Sequence, residues 1–97
     1  MRGGWVYMVA NRYRGTIYTG VTADLARRIY QHRTGTGSSF AARYEANRLV
    51  YAEPHDTIEA AIAREKAIKK WMRQWKIDLI ESQNPDWRDR YDELIRL

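Results

Sequence analysis

The chain opens with a compact run of apolar, aromatic and β-branched residues, Gly4 to Ala10 (GWVYMVA), which has the make-up of a β-strand. The turn-forming NRYRG follows, and TIYTGV at 16–21 is again strand-like, so the two segments predict a hairpin. The spacing then becomes helical. In ADLARRIYQHR, Leu25 and Ile29 define a buried side, Thr22 is placed to cap the helix, and Asp24 suits its first turn. TGTGSS at 34–39 ends this helix and predicts a flexible loop. NRLVYAE at 47–53 reads as a third strand.

Asp56 followed by Glu59 resembles a capping box, and it opens a helical stretch that continues to about Ser82. That run exceeds a typical globular helix, which predicts a break near Lys70–Arg73 although no Pro or Gly marks one. Its apolar stripe reads Ile58, Ile62, Ile68, Met72, Trp75, Leu79, and Glu65 falls in the middle of it. Asn84-Pro85 closes the stretch, and DWRDRYDELIRL predicts a short amphipathic C-terminal helix. With no repeat, linker or low-complexity tract, residues 1–97 are expected to form one α+β domain, a small three-stranded antiparallel sheet flanked by helices.

Composition narrows the chemistry. A chain of 97 residues supports one core, and its four Trp and seven Tyr suggest a core built on large rings. The absence of Cys excludes a disulfide framework and a thiolate zinc site. No segment approaches a membrane span or the apolar region of a signal peptide, so a cytoplasmic protein is expected. The formal charge is +5 and unevenly spread. Residues 1–48 carry eight Arg against Asp24 and Glu45, and within 64–76 six basic residues face Glu65 alone. Such a surface suits nucleic acid, or serves as a solvated, soluble face.

Several residues could carry chemistry, each with a structural alternative. Arg28 and His32 share one edge of the first helix, as a surface pair or as parts of a site. Tyr7 and Tyr18 lie on neighbouring strands, where cross-strand aromatic packing is common. Gly20 inside a strand marks close approach of a ligand or of another backbone. Glu65 on a buried stripe needs a cation: a structural arginine or a divalent metal ion would satisfy it. Together the set matches the needs of phosphodiester hydrolysis, which are a base for water, a metal ion on the phosphate and a cation for the developing charge.

With these residues in place the chain resembles the GIY-YIG nuclease superfamily, specifically its small stand-alone bacterial members related to the nuclease subunit of excision repair. Trp5-Val6-Tyr7 stands where Gly-Ile-Tyr is expected, and Tyr18-Thr19-Gly20 where Tyr-Ile-Gly is expected. GVTADLARRIYQHR supplies the family's helix with Arg28 and His32, AIAREKAIKKW the helix with Glu65, and LIESQNPDW the usual ending of the small members. The resemblance spans roughly residues 4 to 87. It implies that one of Tyr7 and Tyr18 is the general base and the other orients water or phosphate. It further implies that Arg28 stabilises the scissile phosphate, that His32 assists, and that Glu65 is the protein ligand of one magnesium or manganese ion. Asn84 is expected beside the same site.

The sequence therefore leads to a metal-dependent DNA endonuclease acting on single-stranded or branched DNA with weak sequence preference. Lys66, Lys69, Lys70 and Arg73 are expected on the phosphate backbone, with Gly20 and Asn84 completing the DNA-contacting set and no small-molecule cofactor. A non-catalytic nucleic-acid-binding module would use the same basic surface, and a protein-interaction domain would show no affinity for DNA.

Overall fold

The computed structural model describes residues 3–36 and 42–95. Their order is β1 (Gly4–Ala10), β2 (Ile17–Thr22), α1 (Leu25–Thr34), β3 (Arg48–His55), α2 (Ile58–Lys69), α3 (Arg73–Gln83) and α4 (Tyr91–Ile95). The strands form one antiparallel sheet in the order β2-β1-β3, so the α+β architecture expected from the sequence is the one observed. Central β1 is buried almost throughout, and the pleat sends its residues alternately into two cores. Tyr7 and Val9 join Leu25, Ile29, Leu49 and Ala52 on the α1 face. Val6, Met8 and Ala10 join Ala61, Ile68, Ile77, Ile80 and Trp87 on the opposite face. A register shift between Met8 and Val9 inserts an extra residue in β3, and the consecutive Val50 and Tyr51 both enter this second core.

The helix boundaries differ from the expectation at their caps. Asp24, not Thr22, is the N-cap of α1: its side chain accepts from Arg27 N, while the Thr22 hydroxyl accepts from Asp24 N. Likewise Thr57, not Asp56, caps α2 by accepting from Ala60 N at 3.1 Å. Gly35 ends α1 in the left-handed conformation at φ 78°. Residues 37–39 of the expected loop, and 96–97 of the expected final helix, lie outside the described residues. That final helix is shorter than the amphipathic pattern suggested, because Trp87 leaves the helical region at φ 57° to sink its ring into the core. Its indole donates to Glu81 Oε2 at 2.7 Å.

The long helical stretch breaks where expected, between Lys70 and Met72. The apolar stripe drawn through it does not survive. Ile62, Met72 and Trp75 are exposed, and the buried faces are Ala61, Glu65 and Ile68 on α2 and Ile77 and Ile80 on α3. One continuous helical periodicity had been carried across the break, and the change of direction there turns Trp75 outward. Among the described residues no helix is long and apolar enough to cross a membrane. This reassignment has a direct consequence for stability. Ile68→Ala is expected to cost about 2–5 kcal/mol by removing a fully buried side chain, whereas Ile62→Ala should stay within about 0.5 kcal/mol of wild type. Urea unfolding of the two variants checks this, and equal losses would contradict the assignment.

Candidate active site

Tyr7 is fully buried on the α1 side of the sheet, directly opposite Gly20 of β2. A methyl group built on Gly20 would stand 2.4 Å from the Tyr7 hydroxyl oxygen and 2.5 Å from Cζ. The phenol end therefore lies over β2, and only a glycine leaves it room. The close approach that this strand glycine signalled is made by the Tyr7 ring. Tyr18 stands opposite Val9 on the same face, with its ring centroid 6.4 Å from that of Tyr7.

From α1, two side chains one turn apart converge on the buried phenol. His32, only 5% exposed, places Nε2 2.8 Å from the Tyr7 oxygen. Arg28 donates from Nε to that oxygen at 3.2 Å and from Nη1 to Gln31 Oε1 at 3.0 Å. The Tyr18 ring lies 5.5 Å from the His32 ring, and Tyr18 also interacts with Arg28. The Arg28–His32 pair is thus no surface pair. It is one side of a cluster whose other side is the two tyrosines.

Burial sets the protonation states. It pushes Tyr7 up to about 12, against the opposing pull of Arg28. Burial, with Arg28 adding to it, holds His32 down at about 4. At neutral pH the phenol and imidazole are therefore a neutral hydrogen-bonded pair beside a guanidinium whose own pKa is raised, chiefly by its bond to Tyr7. A neutral imidazole with a free Nε2 lone pair can take the phenol's proton, and a phenol oxygen so relieved can take one from water. His32 Nδ1 is buried without a hydrogen-bond partner.

Glu65 stands on α2, which packs on the opposite face of the sheet and meets the cluster at Tyr18 of β2 through Lys69. It is 8% exposed on the face shared with Ala61 and Ile68, and its charge acts on Tyr7. Its ion-pair partner is Lys69 Nζ at 2.7 Å, one turn on, rather than an arginine. Lys69 is itself half exposed and stands 5.6 Å from the centroid of the Tyr18 ring, so the pair opens onto the same cluster. No group of three His, Cys, Asp or Glu side chains that could hold a metal ion occurs among the described residues. One carboxylate nevertheless fits magnesium or manganese, which keep several waters and bind through one or two carboxylates and substrate phosphate oxygens. Two open cavities flank the cluster. One of about 300 Å³ is lined by Asp24, Arg27, Arg28 and Gln31, and one of about 260 Å³ by Tyr18, Thr19, Lys69 and Lys76.

The remaining basic positions divide. Lys66 and Lys70 are exposed. Arg73 donates from Nη2 to the carbonyls of Arg14 at 2.6 Å and Gly15 at 2.8 Å, tying α3 to the hairpin turn. Asn84 is 1% exposed and stands apart from the cluster. Its Nδ2 donates to the carbonyls of Val50 and Arg88, and its Oδ1 accepts from Arg88 N, so its amide is spent on the fold. Sequence reasoning passed over Gln31 and Lys76. Gln31 was visible as the i+3 neighbour of Arg28, whereas Lys76 comes into place only through the α2–α3 break. It also passed over Arg64, which donates to Glu53 of β3 at 2.9 Å and fixes α2 one residue before Glu65.

The family profile described as the GIY-YIG catalytic domain matches residues 3–78. A UPF0213 protein of Staphylococcus saprophyticus is 37% identical over 76 residues, covering 78% of this chain and 92% of its own length. A UPF0213 protein of Haloquadratum walsbyi is 38% identical over 66 residues, covering 68% of this chain and 74% of its own length. No solved structure matches the chain.

The protonation states have a measurable signature. An unfolded imidazole titrates near its ordinary 6.5 and the folded His32 near 4, so between these values the unfolded chain binds more protons. The stability contributed by neutral His32 is complete above pH 6.5 and is lost as pH falls from 6.5 toward 4. Thermal melts across this window should show a falling Tm. His32→Gln should flatten the fall above pH 5, where carboxylates with lowered pKa, such as Glu81 at about 2, remain ionised. Parallel curves for wild type and variant would contradict a buried neutral His32.

Proposed function

Because the chain belongs to the GIY-YIG catalytic-domain family, we propose that it is an endonuclease that hydrolyses DNA phosphodiester bonds using one magnesium or manganese ion. The observation that carries this reading is the convergence of His32 and Arg28 on the single Tyr7 hydroxyl, with the Glu65 charge acting on the same phenol. Tyr7 takes a proton from the attacking water as its own proton passes to His32 Nε2, which leaves its oxygen neutral, and Arg28, which positions that oxygen by donating to it, stabilises the charge that develops on the phosphate. Arg28 also lines an open cavity with Arg27 and Gln31, where its cationic head is available to the scissile phosphate. Tyr18, packed on both Tyr7 and His32, orients the water or the phosphate.

Glu65 would hold the ion, with Lys69 yielding its place on the carboxylate when the ion is present. When bound, the ion supplies polarisation of the phosphate and neutralisation of the leaving oxygen. The burial of Glu65 is what makes this placement effective, since charges interact more strongly away from bulk water. Gly20 contributes the space that Tyr7 occupies. The cavities at the cluster present Arg27, Arg28, Lys69 and Lys76, cations that hold phosphates whatever the base, and so small a domain leaves little area for base readout, so cleavage follows DNA form more than sequence, with single-stranded or branched DNA as substrate.

The test uses single-stranded, duplex and branched DNA with magnesium, with manganese and with EDTA. Cleavage should require the metal, and Arg28→Ala should lower the rate by about 10²–10³-fold, the cost of losing one group that stabilises a transition-state charge. Glu65→Ala should abolish metal-dependent cutting. Uncut substrates, or variants as active as wild type, would overturn the assignment. Salt-sensitive binding with no cleavage would identify the protein as a non-catalytic nucleic-acid-binding module instead.

A further inference from the structure

Trp75 is 52% exposed and Met72 59% exposed, side by side at the start of α3. Burial does not require an indole at 75, since Ile77 and Ile80 supply the core face of that helix. Yet the ring is held in place. Trp71 packs edge-on against it, with centroids 6.1 Å apart and planes at 78°. Trp71 is in turn covered by the Arg64 guanidinium, 5.2 Å from its centroid, and Arg64 is anchored to Glu53 of the sheet. An exposed indole braced by a chain of contacts that runs back to β3 is a rigid aromatic surface presented to solvent.

Its surroundings select the occupant. Between residues 64 and 76 the only acidic residue is Glu65, which is buried and paired with Lys69, and Asp78, one turn beyond Trp75, accepts from Gln74 Nε2. Lys70 is exposed nearby, and Lys76 follows Trp75 directly. Lys69 and Lys76 line the cavity they share with Tyr18, so a basic surface runs from the residue after Trp75 on α3 to the edge of the Tyr7–Tyr18 cluster. A polyanion fits this charge better than a protein surface of mixed sign. A duplex keeps its bases stacked inside, whereas an unpaired base offers a free π-face to an indole.

We propose that Trp75, braced by Trp71, is a stacking platform for an unpaired base of single-stranded DNA whose backbone follows Lys76 and Lys69 toward Tyr18. The identity of the polymer as DNA rests on the nuclease reading, while the platform itself rests on the exposure and bracing of Trp75. Arg73 spends its Nη2 on the hairpin-turn carbonyls, which leaves its Nε and Nη1 for the backbone.

The experiment measures binding in EDTA, where the proposed cleavage cannot occur. Fluorescence anisotropy compares an oligothymidylate with an abasic deoxyribose-phosphate oligomer of equal length. Wild type should bind the base-bearing oligomer about tenfold more tightly, within the range measured for single stacked bases. Trp75→Ala should erase that preference with an unchanged salt slope, and Trp75→Phe should retain most of it. In the wild-type protein the Trp75 indole N–H resonance should shift with oligothymidylate and not with the abasic oligomer, which decides the matter even if a variant folds poorly. Equal affinity for both oligomers overturns the proposal, as does a preference that survives Trp75→Ala, or a concentration-dependent dimer that Trp75→Ala abolishes. Metal-dependent cleavage without base preference would refute the platform alone. Base preference without cleavage of any DNA would refute the nuclease reading alone.

Discussion

A phenol hydroxyl buried under a β-sheet must find hydrogen-bond partners, and the partners of Tyr7 organise this protein's site. The ring occupies the space left by Gly20, so two strands are matched to one another through a single missing Cβ. The hydroxyl then requires α1 to present His32 and Arg28 at the same point, which the one-turn spacing of those residues provides. Arg28 is steadied by Gln31, and Leu25 and Ile29 seat the helix in the core beneath. Packing and polar satisfaction thus fix one geometry, and that geometry brings a neutral acid–base pair beside a permanent cation.

The opposite side of the site is held by different means. Glu65 lies on the face of α2 that buries Ala61 and Ile68, where desolvation would be costly without the lysine one turn away. One residue earlier, Arg64 reaches the other way to Glu53. Burial resists ionisation of Glu53, but hydrogen bonds from Tyr51, Arg64 and His55 outweigh it and lower its pKa. The helix is therefore fastened to β3 through Arg64 while Lys69 stands over Tyr18 of β2, spanning the two edges of the sheet. The break after Lys70 lets α3 supply a second set of core residues and brings Lys76 to the cavity beside Tyr18.

The sequence made some of this legible and hid the rest for physical reasons. The three strands and the helix break showed through local composition and length, and the order of Tyr7, Tyr18, Arg28, His32 and Glu65 pointed to one family. Cap positions shifted by one or two residues because Asp24 and Thr57 compete with equally good neighbours, Thr22 and Asp56. The apolar stripe failed at Met72 and Trp75 because a periodicity carried across a break with no Pro or Gly assigns the wrong face, and at Ile62 because that residue lies beside the buried Ala61–Glu65–Ile68 face rather than on it. Asn84 was expected beside the site only from the family resemblance, and its amide closes the C-terminal segment against Val50 and Arg88. The Gly20–Tyr7 fit could not be read at all without the strand register.

In the proposed site, Tyr7, Tyr18, Arg28, His32 and Glu65 form one centre around a single divalent ion. Manganese is paramagnetic, so titrating it into the labelled protein and recording NMR line broadening maps the ion directly. Broadening should centre on Glu65, spread to Tyr7, Arg28 and His32, and be lost in Glu65→Gln. Broadening centred elsewhere, such as on the Glu53–His55 pair, or unchanged in Glu65→Gln, would contradict that arrangement.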